Sequence, residues 1–147
     1  MASGEKLKEL LQLLDLEQIE ENIFRAQHPV GRQGRLYGGQ IMAQALMAGG
    51  RTVSSDLRVH SLHGYFLRPG DPKVPAVIRV ERARDGRSFA TRRILVTQRG
   101  EAIFNMDASF QVVESGLNHH ADVPDLQPPA EENIAAALLA AAFAPRR

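Results

Sequence analysis

The sequence predicts an α+β domain in which an antiparallel sheet wraps around one central helix. Three observations predict it. The segment Ile41–Ala48 carries no charged residue, and a helix apolar nearly all round must be buried on most sides. Four long strand-like segments follow it. The turns Asp85-Gly86 and Arg99-Gly100 are short enough to join antiparallel neighbours. The competing arrangement is an unrelated α+β sandwich.

The elements read as follows. Leu7, Leu10, Leu11 and Leu14 fall on one face of a short helix. Residues 15–25 place Leu16, Ile19, Ile23 and Phe24 among acids, which reads as one strand with an irregular start on an exposed edge. Residues 28–35, with one Pro and two Gly, read as a loop. The central helix is rich in Ala, Leu, Met and Gln, with Gly49-Gly50 as its stop. Strands are expected over 57–67, 76–81 and 88–98. The clearest is the last, where Ala102, Phe104, Met106, Ala108, Phe110 and Val112 alternate with more polar residues. We read these strands as a meander. The domain proper thus covers residues 1–113. Residues 114–130, with Gly116, Pro124, Pro128 and Pro129, read as a linker. Residues 131–147 read as an Ala-rich helical tail that needs a partner.

Composition narrows the function. The chain has 147 residues, enough for one domain. Its 18 basic and 17 acidic residues nearly cancel, which argues against a general nucleic-acid surface. There is no Cys, so disulfides, thiolate metal sites and cysteine nucleophiles are excluded. No apolar run is long enough for a membrane span, and the N-terminus lacks an apolar signal core. The C-terminal Ala-Pro-Arg-Arg is not a peroxisomal Ser-Lys-Leu signal, so a cytoplasmic protein is expected.

Several motifs stand in order along the chain. They are Leu36-Tyr37-Gly38-Gly39-Gln40 with Ala43-Gln44-Ala45-Leu46, then residues 59–71 (Val-His-Ser-Leu-His-Gly-Tyr-Phe-Leu-Arg-Pro-Gly-Asp). Arg84-Asp85-Gly86-Arg87-Ser88-Phe89 with Arg92-Arg93 follows, and Ile103-Phe104 with Ala108-Ser109-Phe110-Gln111 completes the set. In this order and spacing the sequence resembles the N-terminal repeat of the type II (TesB-like) acyl-CoA thioesterases over residues 7–113. The resemblance implies a hot-dog fold and hydrolysis of fatty acyl-CoA to free fatty acid and CoA, with no metal or other cofactor. It implies two hot-dog repeats in tandem, with a catalytic Asp, Ser or Thr, and Gln all in the second. None of these has a matching position here, so no catalytic residue is carried over. The expected partners are acyl-CoA and either a second copy, as a homo-oligomer, or a second hot-dog domain. The alternative is a non-catalytic acyl-CoA-binding or structural half-domain. A hot-dog dehydratase or hydratase fits less well, because Gly and Gln occupy the helix start where it needs a His or an acid.

Thioester hydrolysis needs a held water, a proton acceptor and donors for the oxyanion. Gly38, Gly39 and Gln40 would offer the free amides of a helix N-terminus, or simply a tight entry to a buried helix. Gln40 and Gln44, one turn apart, could orient a water or a carbonyl, although a structural role is favoured. His60 and His63 are candidate site residues because histidine titrates near neutrality. On a regular strand they point to opposite faces, His60 with Leu62 and Phe66, His63 with Val59 and Tyr65. Arg87 is a candidate for the CoA phosphates within the group Arg84, Arg87, Arg92 and Arg93, for which a solvated basic hairpin is favoured. Thus Gln40 and His60 are the catalytic candidates, and Gly38, Gly39, Gln40, Gln44, His63 and Arg87 the substrate-binding ones. Asp107 reads as solvated, Asp56 as a turn residue and His119-His120 as exposed. No nucleophile elbow and no closely spaced metal-ligand pattern occurs.

Overall fold

The computed structural model describes residues 2–28 and 34–125. The chain divides into two units, Met1–Glu114 and Ser115–Arg147. In the second, residues 115–125 are exposed and carry no helix or strand. The expected tail at 131–147 and the end of the expected linker lie outside the described residues.

The first unit contains α1 (Ala2–Leu14), β1 (Glu17–Glu20), β2 (Ile23–Ala26) and α2 (Gly38–Gly50). Four longer strands follow: β3 (Leu57–Phe66), β4 (Ala76–Asp85), β5 (Phe89–Gln98) and β6 (Glu101–Val112). They form one antiparallel sheet in the order β1-β2-β4-β5-β6-β3. Its inner face packs on α2. Ile78, Val80, Ile94, Val96, Phe104 and Met106 are buried there, with Ile41, Ala45 and Ala48 from the helix. The alternation in the sequence gives this face directly, since successive strand residues point to opposite sides.

Two readings change. Residues 15–25 are not one strand. Glu21-Asn22 turns the chain, and β1 and β2 form a hairpin tied by the Arg25–Glu17 ion pair. Asn is a favoured turn residue, and its backbone carbonyl accepts the Val80 N–H at 2.8 Å. The four long strands are not a simple meander. β4, β5 and β6 are consecutive hairpins, but β3 crosses to the far side and pairs with β6. It thereby becomes an edge, as β1 is at the other end. As expected, α2 stops at Gly49-Gly50, its last two residues, with Arg51 as the C-cap. A Cβ on Gly49 would stand 2.8 Å from Ile94 Cδ1, so this glycine lets helix and sheet approach. The Arg99-Gly100 turn is as expected: both residues have positive φ (50° and 82°), matching the twist a two-residue hairpin needs.

Candidate functional site

The start of α2 opens into a cleft of about 380 Å³. Its walls are Arg35, Leu36, Gly38 and Ile41 on the helix side, and Phe66 through Gly70 on the other. Local bonding explains the shape. The Leu36 N–H donates to Gly70 O at 2.9 Å, and Leu67 N–H donates to Ile103 O at 2.9 Å. The chain entering α2 is thus pinned to the chain leaving β3. Gly70 permits the contact, since a Cβ there would meet the Leu36 side chain at 2.8 Å.

The first intrahelical acceptor is Tyr37 O, which takes the Gln40 and Ile41 amides. The Tyr37 side chain makes no capping bond. The amides of Gly38 and Gly39 therefore have no partner within the helix, at its positive end. Both glycines also accommodate rings. A Cβ on Gly38 would lie 2.9 Å from the Phe66 ring, and one on Gly39 2.5 Å from that of Tyr37. Arg35 and Arg68 add positive charge to a largely apolar wall. Arg68 donates to Ala102 O at 2.8 Å and lies 3.5 Å from Glu101. Among the described residues the lining contains no carboxylate and no histidine. These residues can bind an apolar group and offer donors to an oxyanion or phosphate.

Gln40 and Gln44 are both buried and point to separate partners. The Gln40 amide donates to His28 Nδ1 at 3.0 Å, and the Gln44 amide to Leu13 O at 2.9 Å, which holds α1 to α2. Burial lowers the pKa of His28, only partly offset by a backbone contact at Val74 and the charge of Asp71. Burial thus favours its neutral imidazole. Gln40 Oε1 and His28 Nε2 have no hydrogen-bond partner among the described residues. His28 had no signal in the sequence beyond its place in a loop.

The histidines of β3 share a face, contrary to the alternating expectation. The register slips between Val59 and Ser61. Val59, Leu62 and Phe66 therefore all pair with inner-face residues of β6, namely Phe110, Ala108 and Phe104. His60 is the extra residue. It swings to the outer face, where its Nε2 lies 2.8 Å from Ser109 Oγ and its ring meets Phe89 edge-on. His63, opposite Asp107, is on that outer face too, against Tyr65. Both are thus across the sheet from α2.

Arg87 is exposed in the β4–β5 turn. That turn adjoins the other end of α2, since Val112 N–H donates to Ser88 O and Arg92 bonds Thr52. A 13-residue helix puts about 18 Å between the two ends. The structure therefore brings Gly38 to the cleft, with Gly39 and Gln40 next in the helix, and leaves His60, His63 and Arg87 elsewhere. The basic hairpin is not wholly solvated either. Arg92 is fully buried, and its five N–H donors meet five acceptors: Thr52 Oγ1 and O, Arg84 O, Thr91 O and Asp85 Oδ1. Among the described residues no group of His, Cys, Asp and Glu is placed to hold a metal ion, and no helix is long and apolar enough to cross a membrane.

Residues 26–111, which contain α2, the cleft and the four long strands, match the family described as acyl-CoA thioesterase N-terminal domain. Acyl-coenzyme A thioesterase 8 of Mus musculus is 49% identical over 119 residues, 80% of this chain and 37% of the relative. The crystal structure of an acyl-CoA thioesterase II, TesB2, from Mycobacterium marinum superposes with a TM-score of 0.73 at 46% identity. That match covers 82% of this chain and 45% of the other. A hot-dog-fold protein of unknown function from Alicyclobacillus acidocaldarius matches with a TM-score of 0.71 at 22% identity, over 82% of this chain and 46% of the other, and supports the fold alone. The chain spans less than half the length of each of these proteins. With its sheet wrapped on one buried helix, it has the hot-dog fold and belongs to the acyl-CoA thioesterase N-terminal domain family.

Proposed function

We propose that this chain is one half of an acyl-CoA thioesterase. It binds fatty acyl-CoA at the open start of α2, for hydrolysis to free fatty acid and CoA. Water adds to the thioester carbonyl, the C–S bond breaks, and the sulfur leaves with a proton. The cleft carries the reading: an apolar wall, two arginines and the amides of Gly38 and Gly39, which have no partner within the helix, suit a chain ending in a polarised carbonyl and phosphates. Among the described residues its lining has no carboxylate and no histidine, and in this reading a second hot-dog domain supplies the group that activates water.

The β3 edge is where we place that domain, either a second copy or a separate half. Among the described residues, one side of β3 has no neighbouring strand. Val59, Leu62, Tyr65, Phe66 and Leu67 are exposed along it or just beyond it. An open edge beside apolar surface favours strand addition. The cleft includes Phe66 and Leu67, so the added domain would face it. We place the protein in the cytosol on the sequence argument alone, which cell fractionation tests.

The experiment has two readouts on the purified chain. Calorimetry with a long-chain acyl-CoA reads binding, and a thiol reagent reads CoA release. Binding without release, with release restored by adding a second hot-dog half, supports the proposal. No binding sinks it. Steady release by the chain alone would favour self-sufficient catalysis by a homo-oligomer. A monodisperse monomer by light scattering, with no partner recruited, would remove the edge-pairing part.

A further inference from the structure

The outer face of the sheet carries a charge pattern that neither the cleft nor the β3 edge uses. Glu81 on β4 is opposite Arg93 on β5, Arg93 opposite Asp107 on β6, and Asp107 opposite His63 on β3. The four strands thus show one transverse row: acid, base, acid, histidine. Arg93 Nε donates to Asp107 Oδ1 at 3.2 Å, and its Nη1 is 3.9 Å from Glu81 Oε2. All three charged side chains remain more than 60% exposed. The next row along the strands reads Arg79, Leu95, Asn105, Tyr65. Leu95 and Tyr65 are exposed apolar groups. Between the rows lies a pocket of about 230 Å³. On the other side, Arg84, Thr91, Ser109 and Ser61 form a row with one charge.

We propose that this face packs against the same face of a second copy, about a two-fold axis parallel to the strands and between β5 and β6. Such an axis reverses the order of the strands and keeps position along them. β5 of each copy then faces β6 of the other, and β4 faces β3. Arg93 meets Asp107 of the second copy, twice by symmetry, and Glu81 meets His63. In the next row Arg79 meets the Tyr65 ring, a cation against a π face. The Arg84 row meets only neutral hydroxyl groups. None of the three rows puts like charges together. Turning the copy about the transverse row instead would set Glu81 on Glu81, Arg93 on Arg93 and Asp107 on Asp107. The charges therefore select one of the two axes. Sheets packed face to face stand about 10 Å apart with strands within about 30°, inside the combined reach of Arg and Asp side chains. An interface of this kind is self-complementary and, being polar, salt-sensitive.

Sedimentation velocity of the full chain at low salt tests it with a charge exchange. Arg93→Glu alone places an acid against Asp107 of the second copy, and Asp107→Arg alone places a base against Arg93. Each variant should sediment as a particle of half the wild-type mass. Mixing the two should restore the full mass, because the introduced acid of one chain then meets the introduced base of the other. Far-ultraviolet dichroism and melting confirm that both fold. Unchanged mass in the single variants overturns the proposal, and so does folded protein that stays at half mass in the mixture. Pairing through the β3 edge leaves these side chains exposed. If that pairing fails, the wild-type mass is lower but the twofold ratio remains; if the face pairing fails, the ratio is lost.

Discussion

The two ends of α2 are built in opposite ways. At its C-terminal end, the buried Arg92 guanidinium reaches under the helix to Thr52 and across to Arg84 O and Asp85, and every donor is used. Arg51 adds an ion pair to Asp15 and a bond to Leu16 O, which ties in the end of α1. At its N-terminal end there is no side-chain cap, two glycines lead, and a cleft opens beside an edge strand. One end commits its polar groups to the fold; at the other the first helical amides have no partner within the helix. The difference teaches that a buried arginine closes one end of this hot-dog helix, while glycines and apolar residues frame the end where the proposed site opens.

That contrast can be broken from either side. Arg92→Ala should have the largest effect, removing about 4 kcal/mol of stability, since several buried acceptors lose their donors at once. Denaturant unfolding reads it, with acyl-CoA binding retained under native conditions. Gly49→Ala should cost about 2 kcal/mol, because its new methyl would enter the space of the buried Ile94 side chain. Gly38→Val should spare stability by comparison, since the Phe66 ring it meets is half exposed and can move. It should instead weaken acyl-CoA binding by about tenfold, roughly 1.4 kcal/mol, read by calorimetry. The smallest effect concerns acid. The hydrogen bond from Arg92 holds the Asp85 carboxyl below the usual carboxylate range, outweighing desolvation, with Arg82 helping. A depressed folded-state pKa contributes stability that is complete above the unfolded value and is lost as pH falls through the folded one. The melting temperatures of wild type and Asp85→Asn should therefore begin to converge as pH falls below about 4 and meet only at still lower pH.

The sequence made the core legible because its signals are local. Ile41–Ala48 without a charge and the period of two from Ala102 to Val112 each require a single buried face, and the structure supplies it. Arg99-Gly100 fixes its own turn. The crossing of β3 to β6 was hidden, because strand order depends on long-range pairing that no local pattern encodes. The placement of His60 was hidden for a related reason: one residue out of register reverses the alternation on which the reading relied. Arg92 and Arg93, adjacent on a strand, read as pointing to opposite faces, but no local pattern told which of them is buried. Of the site, Gly38 and Gly39 were legible from the glycine pair before an apolar helix. Phe66, Arg68 and Arg35 belong to it only because the Leu36–Gly70 bond folds two distant segments together.

The central claim is that the open end of α2 binds acyl-CoA while a second hot-dog domain supplies the group that activates water. The most direct measurement is a single titration of the purified chain with a long-chain acyl-CoA, following heat and free thiol together. The account predicts saturable binding, weakened by Gly38→Val, with no thiol released until a second hot-dog domain is added. Saturable binding that Gly38→Val leaves unchanged, or sustained thiol release by the chain alone, would contradict it.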